Sequence, residues 1–128
     1  KWVKQSIHYL CPDTKEHKFL GQNVTVAILD TGISPHPDFK GRILSFRDFS
    51  STTGSSAKVL FSFSHFSPLI DNSGHGTHVA GILAGSGLLS SGTYAGIAPF
   101  CNLIIGKVLD QNGNGSIKNV INGIQWIR

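Results

Sequence analysis

The 128-residue sequence contains no methionine and no apolar run of the roughly 20 residues that a membrane-spanning helix requires. The missing run argues against a membrane partner, and the start of the chain does not resemble an export signal. Because no initiator methionine stands at Lys1, we expect that an upstream segment has been removed or was never included. The apolar periodicity of the last segment continues to the end, so we interpret Arg128 as a cut.

Charge and cysteine are also sparse. Only 14% of the residues are charged, and the 11 basic residues, which outnumber 7 acidic ones, are scattered rather than grouped with aromatics. This distribution argues against a nucleic-acid partner. Cys11 and Cys101 are too few for a disulfide framework and lack the spacing of a metal site. With 40% apolar residues, the composition is typical of a globular domain.

Two segments have the pattern of buried strands. Residues 24–29 (VTVAIL) carry apolar side chains on both faces, which is typical of a parallel strand that is covered on both sides. Residues 103–109 (LIIGKVL) repeat this pattern, and residues 43–49 and 59–66 are weaker candidates. The polar residues 50–57 predict a surface loop between the weaker pair.

Two further segments predict helices. Apolar residues follow His75 at helical spacing, although the internal glycines Gly76 and Gly81 indicate that another backbone or a substrate passes close by. Ser116 predicts the N-cap of a second helix. The apolar stripe of that helix consists of Ile117, Val120, Ile121, Ile124 and Ile127. The alternation predicts an α/β fold, with a parallel sheet and helices on both faces.

Asp30 and His75 are candidate catalytic residues because of their positions. Asp30 follows the first buried strand, at the sheet edge where open α/β sheets bind ligands. His75 begins a helix after a flexible entry, so one ring nitrogen can bind a carboxylate while the other reaches a substrate. From position alone, Asp30 could equally cap its loop through an Asx-turn, and a single histidine of this kind is more often structural.

The order of these residues bears on the reaction. An acid that precedes a base matches one of the three known triad orders among serine hydrolases, in which the nucleophile comes last. No G-x-S-x-G motif is present, so we expect the nucleophile beyond Arg128. A metal-dependent hydrolase is the competing class, because His75 and His78 lie three residues apart and Asp30 could be a third ligand. The glutamate of an HExxH motif is lacking.

Several motifs together resemble the subtilase family of serine proteases. They are VAILDTGI at 26–33, HPDF at 36–39, GHGTHVAGILAG at 74–85, GIAP at 96–99, KVLDQNGNGS at 107–116 and INGIQWI at 121–127. The order and spacing of all six make the resemblance specific. It implies that residues 22–128 are the N-terminal part of a subtilisin-like catalytic domain, incomplete in this chain. Residues 1–21 would be the lead-in of the mature enzyme.

The resemblance implies a role for each matching residue. Asp30 would be the aspartate, and His75 the general base, of an Asp-His-Ser triad that hydrolyses peptide bonds, while His78 would be structural. The serine and the oxyanion asparagine would come from a downstream part of the domain, in the same chain or as a second chain. A catalytically inactive subtilase-like binding or regulatory protein is the alternative, because the serine is not in this sequence.

The resemblance also implies a substrate cleft. Residues 107–115 would form one wall, on which a polypeptide substrate binds as an extended strand. The residues expected to bind substrate are Lys107, Leu109, Asn112, Gly113, Gly115, Ile117 and Val120. Leu109, Ile117 and Val120 would line apolar pockets, with burial in the core as the alternative for all three.

The family's chemistry requires no cofactor, but some members hold a structural calcium ion with an aspartate equivalent to Asp38. In this sequence the loop that supplies the other ligands, residues 85–92, lacks the expected asparagine, so calcium would rely on backbone carbonyls. The separation of 45 positions between Asp30 and His75 exceeds that of compact bacterial members, and we place the extra residues at 50–66. We expect a secreted or extracytoplasmic enzyme.

Overall fold

The computed structural model describes residues 2–7, 9, 19–50, 60–61 and 69–128. Its helices and strands, in chain order, are α1 (Trp2–Ser6), β1 (Thr25–Asp30), β2 (Ile43–Asp48), β3 (Leu60–Phe61), α2 (His75–Ala84), β4 (Asn102–Lys107) and α3 (Ile117–Trp126). Short 3₁₀ turns lie at Pro37–Phe39 and Leu88–Ser90. Cys11 and most of the predicted 50–66 insertion lie outside the described residues.

The four strands form one sheet in the order β1-β4-β2-β3. β4 pairs in parallel with β1 on one side and with β2 on the other, and Lys107 is aligned with both Asp30 and Asp48. The predicted parallel sheet is confirmed for these three strands. β3 differs, because it pairs antiparallel with β2. The eleven residues 49–59 are too few for the crossover that a parallel return requires.

The sheet packs against one helix on each face. On the first face, Ile28 of β1 belongs to a buried core that includes Ala80 and Ala84 of α2. On the second face, Leu29 lies beside Gly123 of α3, where an added Cβ would lie 3.1 Å from the leucine side chain. Consecutive strand residues point to opposite faces, so the continuous apolar run of β1 serves both helices, as the sequence predicts.

Helix α3 contacts the sheet with only part of its predicted apolar stripe. The less exposed side of the helix includes Val120, Gly123 and Trp126, and the Trp126 ring lies 5.7 Å from the ring of Phe49. The exposed members of the stripe are Ile117, Ile121, Ile124 and Ile127. Because Gly123 has no side chain, the helix approaches the sheet along the line of this glycine, and the isoleucines point away.

The helices are short, and their ends follow local signals. Ser116 Oγ accepts a hydrogen bond from the Asn119 N–H at 3.1 Å, which confirms the predicted N-cap of α3. Helix α2 begins after Gly74, whose φ of +87° suits glycine. Among the described residues, no helix is long and apolar enough to cross a membrane.

Candidate active site

Asp30 is held firmly at the carboxyl end of β1. Its backbone carbonyl accepts hydrogen bonds from the N–H groups of Val108 (3.0 Å) and Leu109 (3.1 Å), which fix the strand end to the chain that follows β4. Its carboxylate accepts a hydrogen bond from the Thr31 N–H at 2.6 Å. Only 13% of the side chain is exposed, so the carboxylate is largely shielded from solvent.

His75, the first residue of α2, hydrogen-bonds this carboxylate. Nδ1 lies 2.8 Å from Oδ1 and 3.0 Å from Oδ2 of Asp30. Because an ionised carboxylate only accepts hydrogen bonds, Nδ1 carries the proton and donates it. The ring is 64% exposed, so Nε2 is accessible from solvent as a base.

The surroundings of His75 raise the pKa of its imidazole above the ordinary value of 6.5. The hydrogen bond to Asp30 is the largest cause, and the negative charge of Asp30 follows. Loss of hydration opposes the rise, and the charge of Asp71 adds to it. A raised pKa makes the ring a better proton acceptor, which suits proton transfer near neutral pH.

Glycines let the loop after β1 lie directly against the start of α2. An added Cβ on Gly76 would lie 2.2 Å from the carbonyl oxygen of Gly32. Gly32 itself has a φ of +111°, and a Cβ there would lie 2.0 Å from the carbonyl oxygen of Ile70. The predicted close approach of another backbone is therefore confirmed at Gly76. At Gly81 no described atom outside the backbone of α2 lies within 4 Å of an added Cβ, so the close approach of a backbone or a substrate there stays a prediction.

Asp71 is part of this site although the sequence predicts only a flexible entry to the helix. Its Oδ1 accepts hydrogen bonds from Thr31 Oγ1 (2.9 Å) and from the N–H groups of Ser73 (3.1 Å) and Gly74 (2.8 Å). Its Oδ2 accepts hydrogen bonds from the N–H (2.9 Å) and the hydroxyl of Thr77. An aspartate before Asn-Ser-Gly is an Asx-turn signal, which could have identified the residue.

These hydrogen bonds keep Asp71 ionised. Burial alone would raise the pKa of its carboxyl group, but four hydrogen bonds outweigh burial, from the Thr77 hydroxyl, the N–H groups of Gly74 and Thr77, and the Thr31 hydroxyl. The pKa is lowered from 3.8 to about 2. Asp71 therefore carries a negative charge beside His75 throughout the neutral pH range.

Lys107 lies inside the molecule. It is 5% exposed, and Nζ donates hydrogen bonds to the carbonyl oxygens of Thr31 (2.7 Å) and Leu109 (2.9 Å). This burial leaves only the backbone of Lys107 to contact substrate, and its predicted place in the cleft wall stays a prediction. The ammonium instead joins β4 to the loop that follows Asp30, and its hydrogen bonds compensate the cost of burying a charge.

The predicted substrate residues after β4 lie on an ordered turn. Asn112, Gly113 and Gly115 are exposed. The Asp110 carboxylate accepts hydrogen bonds from the N–H groups of Asn112 (2.8 Å) and Asn114 (3.0 Å), which close the turn. The turn therefore has its shape without a substrate.

The three predicted pocket residues differ in burial. Ile117 is 81% exposed, so among the described residues it does not belong to the core. Leu109 and Val120 are half-buried. Their contact with substrate remains a prediction.

The surroundings of Asp38 do not fit the calcium ion that the resemblance implies. Its carboxylate accepts hydrogen bonds from the N–H groups of Gly87 (3.1 Å) and Leu89 (3.4 Å). Calcium requires about six to eight oxygen ligands, whereas the neighbours that bond this carboxylate are N–H donors. The Arg42 guanidinium also donates to the backbone carbonyl of Asp38, which adds a positive charge nearby. The loop is thus held by protein donors.

The competing metal site is not assembled. In the described ranges, no group of three or more His, Cys, Asp or Glu side chains is arranged to hold a metal ion. His78 lines a cavity of about 450 Å³ together with Asp38 and Tyr94, whereas His75 bonds Asp30. The two histidines therefore have different neighbours. His78 is exposed, so burial does not support its predicted structural role.

Known proteins match most of this chain. A family model described as the subtilase family matches residues 21–128. The chain is 44% identical over 106 residues to the serine protease AprX of Bacillus subtilis (strain 168), with 83% of this chain and 21% of that protein covered. Two more relatives from that organism are the Major intracellular serine protease, 40% identical, and the Minor extracellular protease Epr, 36% identical. Each match covers 83% of this chain, with 30% and 14% of the relatives covered.

Solved structures match the fold. Sphericase superposes with a TM-score of 0.67 at 30% identity, over 83% of this chain and 32% of that one. The CspB protease of Clostridium perfringens superposes with a TM-score of 0.72 at 26% identity, over 86% and 26%. The predicted fold, an incomplete subtilisin-like α/β domain, is confirmed. The chain spans less than a third of the length of each of these proteins.

Proposed function

Because this chain belongs to the subtilase family of serine proteases, we propose that it supplies the acid and the base of a serine endopeptidase. Asp30 is the acid, His75 is the base, and the nucleophilic serine comes from a segment downstream of residue 128. The observation that carries the proposal is the hydrogen bond from His75 Nδ1 to both carboxylate oxygens of Asp30, at 2.8 and 3.0 Å.

The reaction is an acyl transfer to serine and then to water. The serine oxygen attacks the carbonyl carbon of a peptide bond while His75 Nε2 takes the hydroxyl proton. When the C–N bond breaks, His75 returns this proton to the leaving amine. Asp30 keeps the Nδ1 proton in place, orients the ring and stabilises the imidazolium. Water then repeats the attack on the acyl-enzyme, again with His75 as the base.

The substrate is a polypeptide that lies along residues 109–115 as an extended strand. The exposed turn at Asn112 and Gly113 offers backbone groups for main-chain hydrogen bonds, and its shape is set in advance. Apolar contacts for side chains upstream of the cleaved bond come from Leu109, Ile117 and Val120. The exposure of Ile117 supports a preference for apolar or aromatic side chains there.

The rest of the machinery is supplied from outside these 128 residues. The serine and the oxyanion asparagine come from the downstream part of the catalytic domain, in the same chain or as a second chain, and the 128 residues alone are inactive. An extracytoplasmic location also remains a proposal, since the relatives include an extracellular and an intracellular protease by name. Cell fractionation with an antibody against this segment tests the location.

Labelling of the full-length protein with a fluorophosphonate tests the proposed function. We expect a covalent adduct on a serine downstream of residue 128, located by mass spectrometry, and its loss in His75→Ala. Phenanthroline should change neither labelling nor peptidase activity. A folded protein without adduct and without activity would instead be a binding or regulatory protein. Activity that phenanthroline abolishes and the fluorophosphonate spares would establish a metallohydrolase.

A further inference from the structure

The start of α2 is capped by residues from outside the helix. The N-cap residue Gly74 has no side chain to accept the first N–H groups, which lack partners within a helix. The Gly76 N–H donates to Thr31 Oγ1 at 2.9 Å, and the Thr77 N–H donates to Asp71 Oδ2 at 2.9 Å. The cap of the helix that begins with the catalytic base is therefore built by the loop after β1 and by Asp71.

Thr31 connects this cap to Asp30, the acid of the proposed pair Asp30 and His75. It is 1% exposed, and its hydroxyl accepts from Gly76 and donates to Asp71 Oδ1 at 2.9 Å. Its own N–H donates to the carboxylate of Asp30, the preceding residue. Movement of the Thr31 hydroxyl would therefore move the carboxylate that orients His75.

Thr77 forms a second bridge on the other oxygen of Asp71. Its hydroxyl donates to Asp71 Oδ2 and accepts from the Ser34 N–H at 3.0 Å. Asp71 is thus connected to both ends of the loop 31–34. His75 lies between Gly74 and Thr77, both of which donate their N–H groups to Asp71.

Resting on the proposed function, we infer that Asp71 is a positioning residue, which fixes the separation and orientation of Asp30 and His75 through Thr31 and Thr77. It acts without touching substrate or reacting atoms. All five of its hydrogen bonds are accepted, and an asparagine cannot replace them because its NH₂ group would face donors on one side. A misplacement of about 1 Å in a catalytic group can reduce turnover about 100-fold.

The first test is Asp71→Asn in the full-length enzyme, with active centres counted by fluorophosphonate titration. We expect kcat per active centre to fall about 10- to 100-fold while KM stays within about two-fold. The lower limb of the pH profile should move to lower pH. Two negative charges, Asp30 and Asp71, face His75 in the wild type and raise the pKa of its ring, and only Asp30 remains in the variant. A residue that only stabilises the fold would change the number of active centres and not kcat per centre.

Asp48→Asn is the matched control. Asp48 lies at the carboxyl end of β2 and accepts hydrogen bonds from the N–H and the hydroxyl of Ser50, within its own loop. The Asp48→Asn variant loses one negative charge, as Asp71→Asn does, at the carboxyl end of the strands. We expect its kcat per active centre to equal that of the wild type.

Thr31→Val tests the connection separately and keeps it testable if Asp71→Asn does not fold. It removes only the bridging hydroxyl, and we expect a loss of kcat of about 10-fold. The double variant should lose little more than Asp71→Asn alone, because both changes break one connection. Additive losses, or an unchanged kcat per centre in both single variants, would overturn the inference. Failure of the wild type to react with the fluorophosphonate would overturn the proposed function itself.

Discussion

Nζ of Lys107 lies 2.7 Å from the carbonyl oxygen of Thr31, the residue that follows Asp30. The same ammonium donates to the carbonyl oxygen of Leu109 at 2.9 Å. The buried ammonium thus connects the loop after Asp30 to Leu109, the first residue of the segment along which the substrate is proposed to bind. We expect both stability and turnover to depend on it.

Replacing Lys107 by methionine keeps most of the side-chain volume and removes the ammonium. We expect the free energy of unfolding to fall by about 2 kcal/mol, because hydrogen bonds to a charged group contribute about 1.5 to 3 kcal/mol. The kcat should fall as well, since the loop after Asp30 loses an attachment. Denaturant unfolding of the full-length protein measures the change. Lys40→Met, at an exposed position, is the control, and equal stability of the two variants would refute this role.

Gly76 and Gly81 form a matched pair of substitutions within α2. A Cβ on Gly76 would lie 2.2 Å from the carbonyl oxygen of Gly32, so Gly76→Ala should displace the helix start that carries His75. We expect kcat to fall about 100-fold. Outside the backbone of α2, a Cβ on Gly81 would meet no described atom within 4 Å, and Gly81→Ala should increase stability by about 0.5 to 1 kcal/mol through helix propensity. Turnover and thermal melting of both variants test this contrast, which equal kcat values would contradict.

The loop after α2 should be stable without calcium. Asp38 holds it through the N–H groups of Gly87 and Leu89. We therefore expect EDTA to change the melting temperature of the wild type no more than that of Asp38→Ala. Asp38→Ala should lower the free energy of unfolding by about 1 kcal/mol, because the Gly87 N–H, in a partly buried hydrogen bond, and the Leu89 N–H, in an exposed one, lose their acceptor. A melting temperature that drops with EDTA in the wild type but not in Asp38→Ala would show that a cation does bind there.

Activity should rise with pH through the pKa of His75. The base must be neutral, and Asp30 raises the pKa of its imidazole above 6.5, so the lower limb of kcat/KM should lie above that value. The stabilising effect of the protonated pair is complete below 6.5 and is lost as pH rises through the raised pKa. NMR titration of the His75 ring provides a direct check. A limb below 6.5 would exclude the attraction to Asp30.

The sequence predicts the parallel strands and the helices α2 and α3 because each depends on a local pattern, whereas the pairing of Asp30 with His75 is predicted from the resemblance to the subtilases. The inward position of Lys107 could also have been predicted. Leu103, Ile105 and Lys107 are spaced two residues apart in β4, so their side chains point to the same buried face. The exposure of the isoleucines of α3 depends instead on how closely Gly123 approaches the sheet, which is a tertiary contact. The role of Asp71 likewise depends on donors that come together only in the fold.

If Asp30 and His75 are the acid and the base of one catalytic triad, kcat of Asp30→Asn in the full-length enzyme must fall steeply. Asparagine can hold the wrong imidazole tautomer, so we expect kcat to fall about 10⁴-fold, with the melting temperature and KM close to wild type. His78→Ala, which lacks the contact to Asp30, should keep wild-type turnover. An Asp30→Asn enzyme within about ten-fold of wild type, or a His78→Ala enzyme as impaired as His75→Ala, would contradict the assignment.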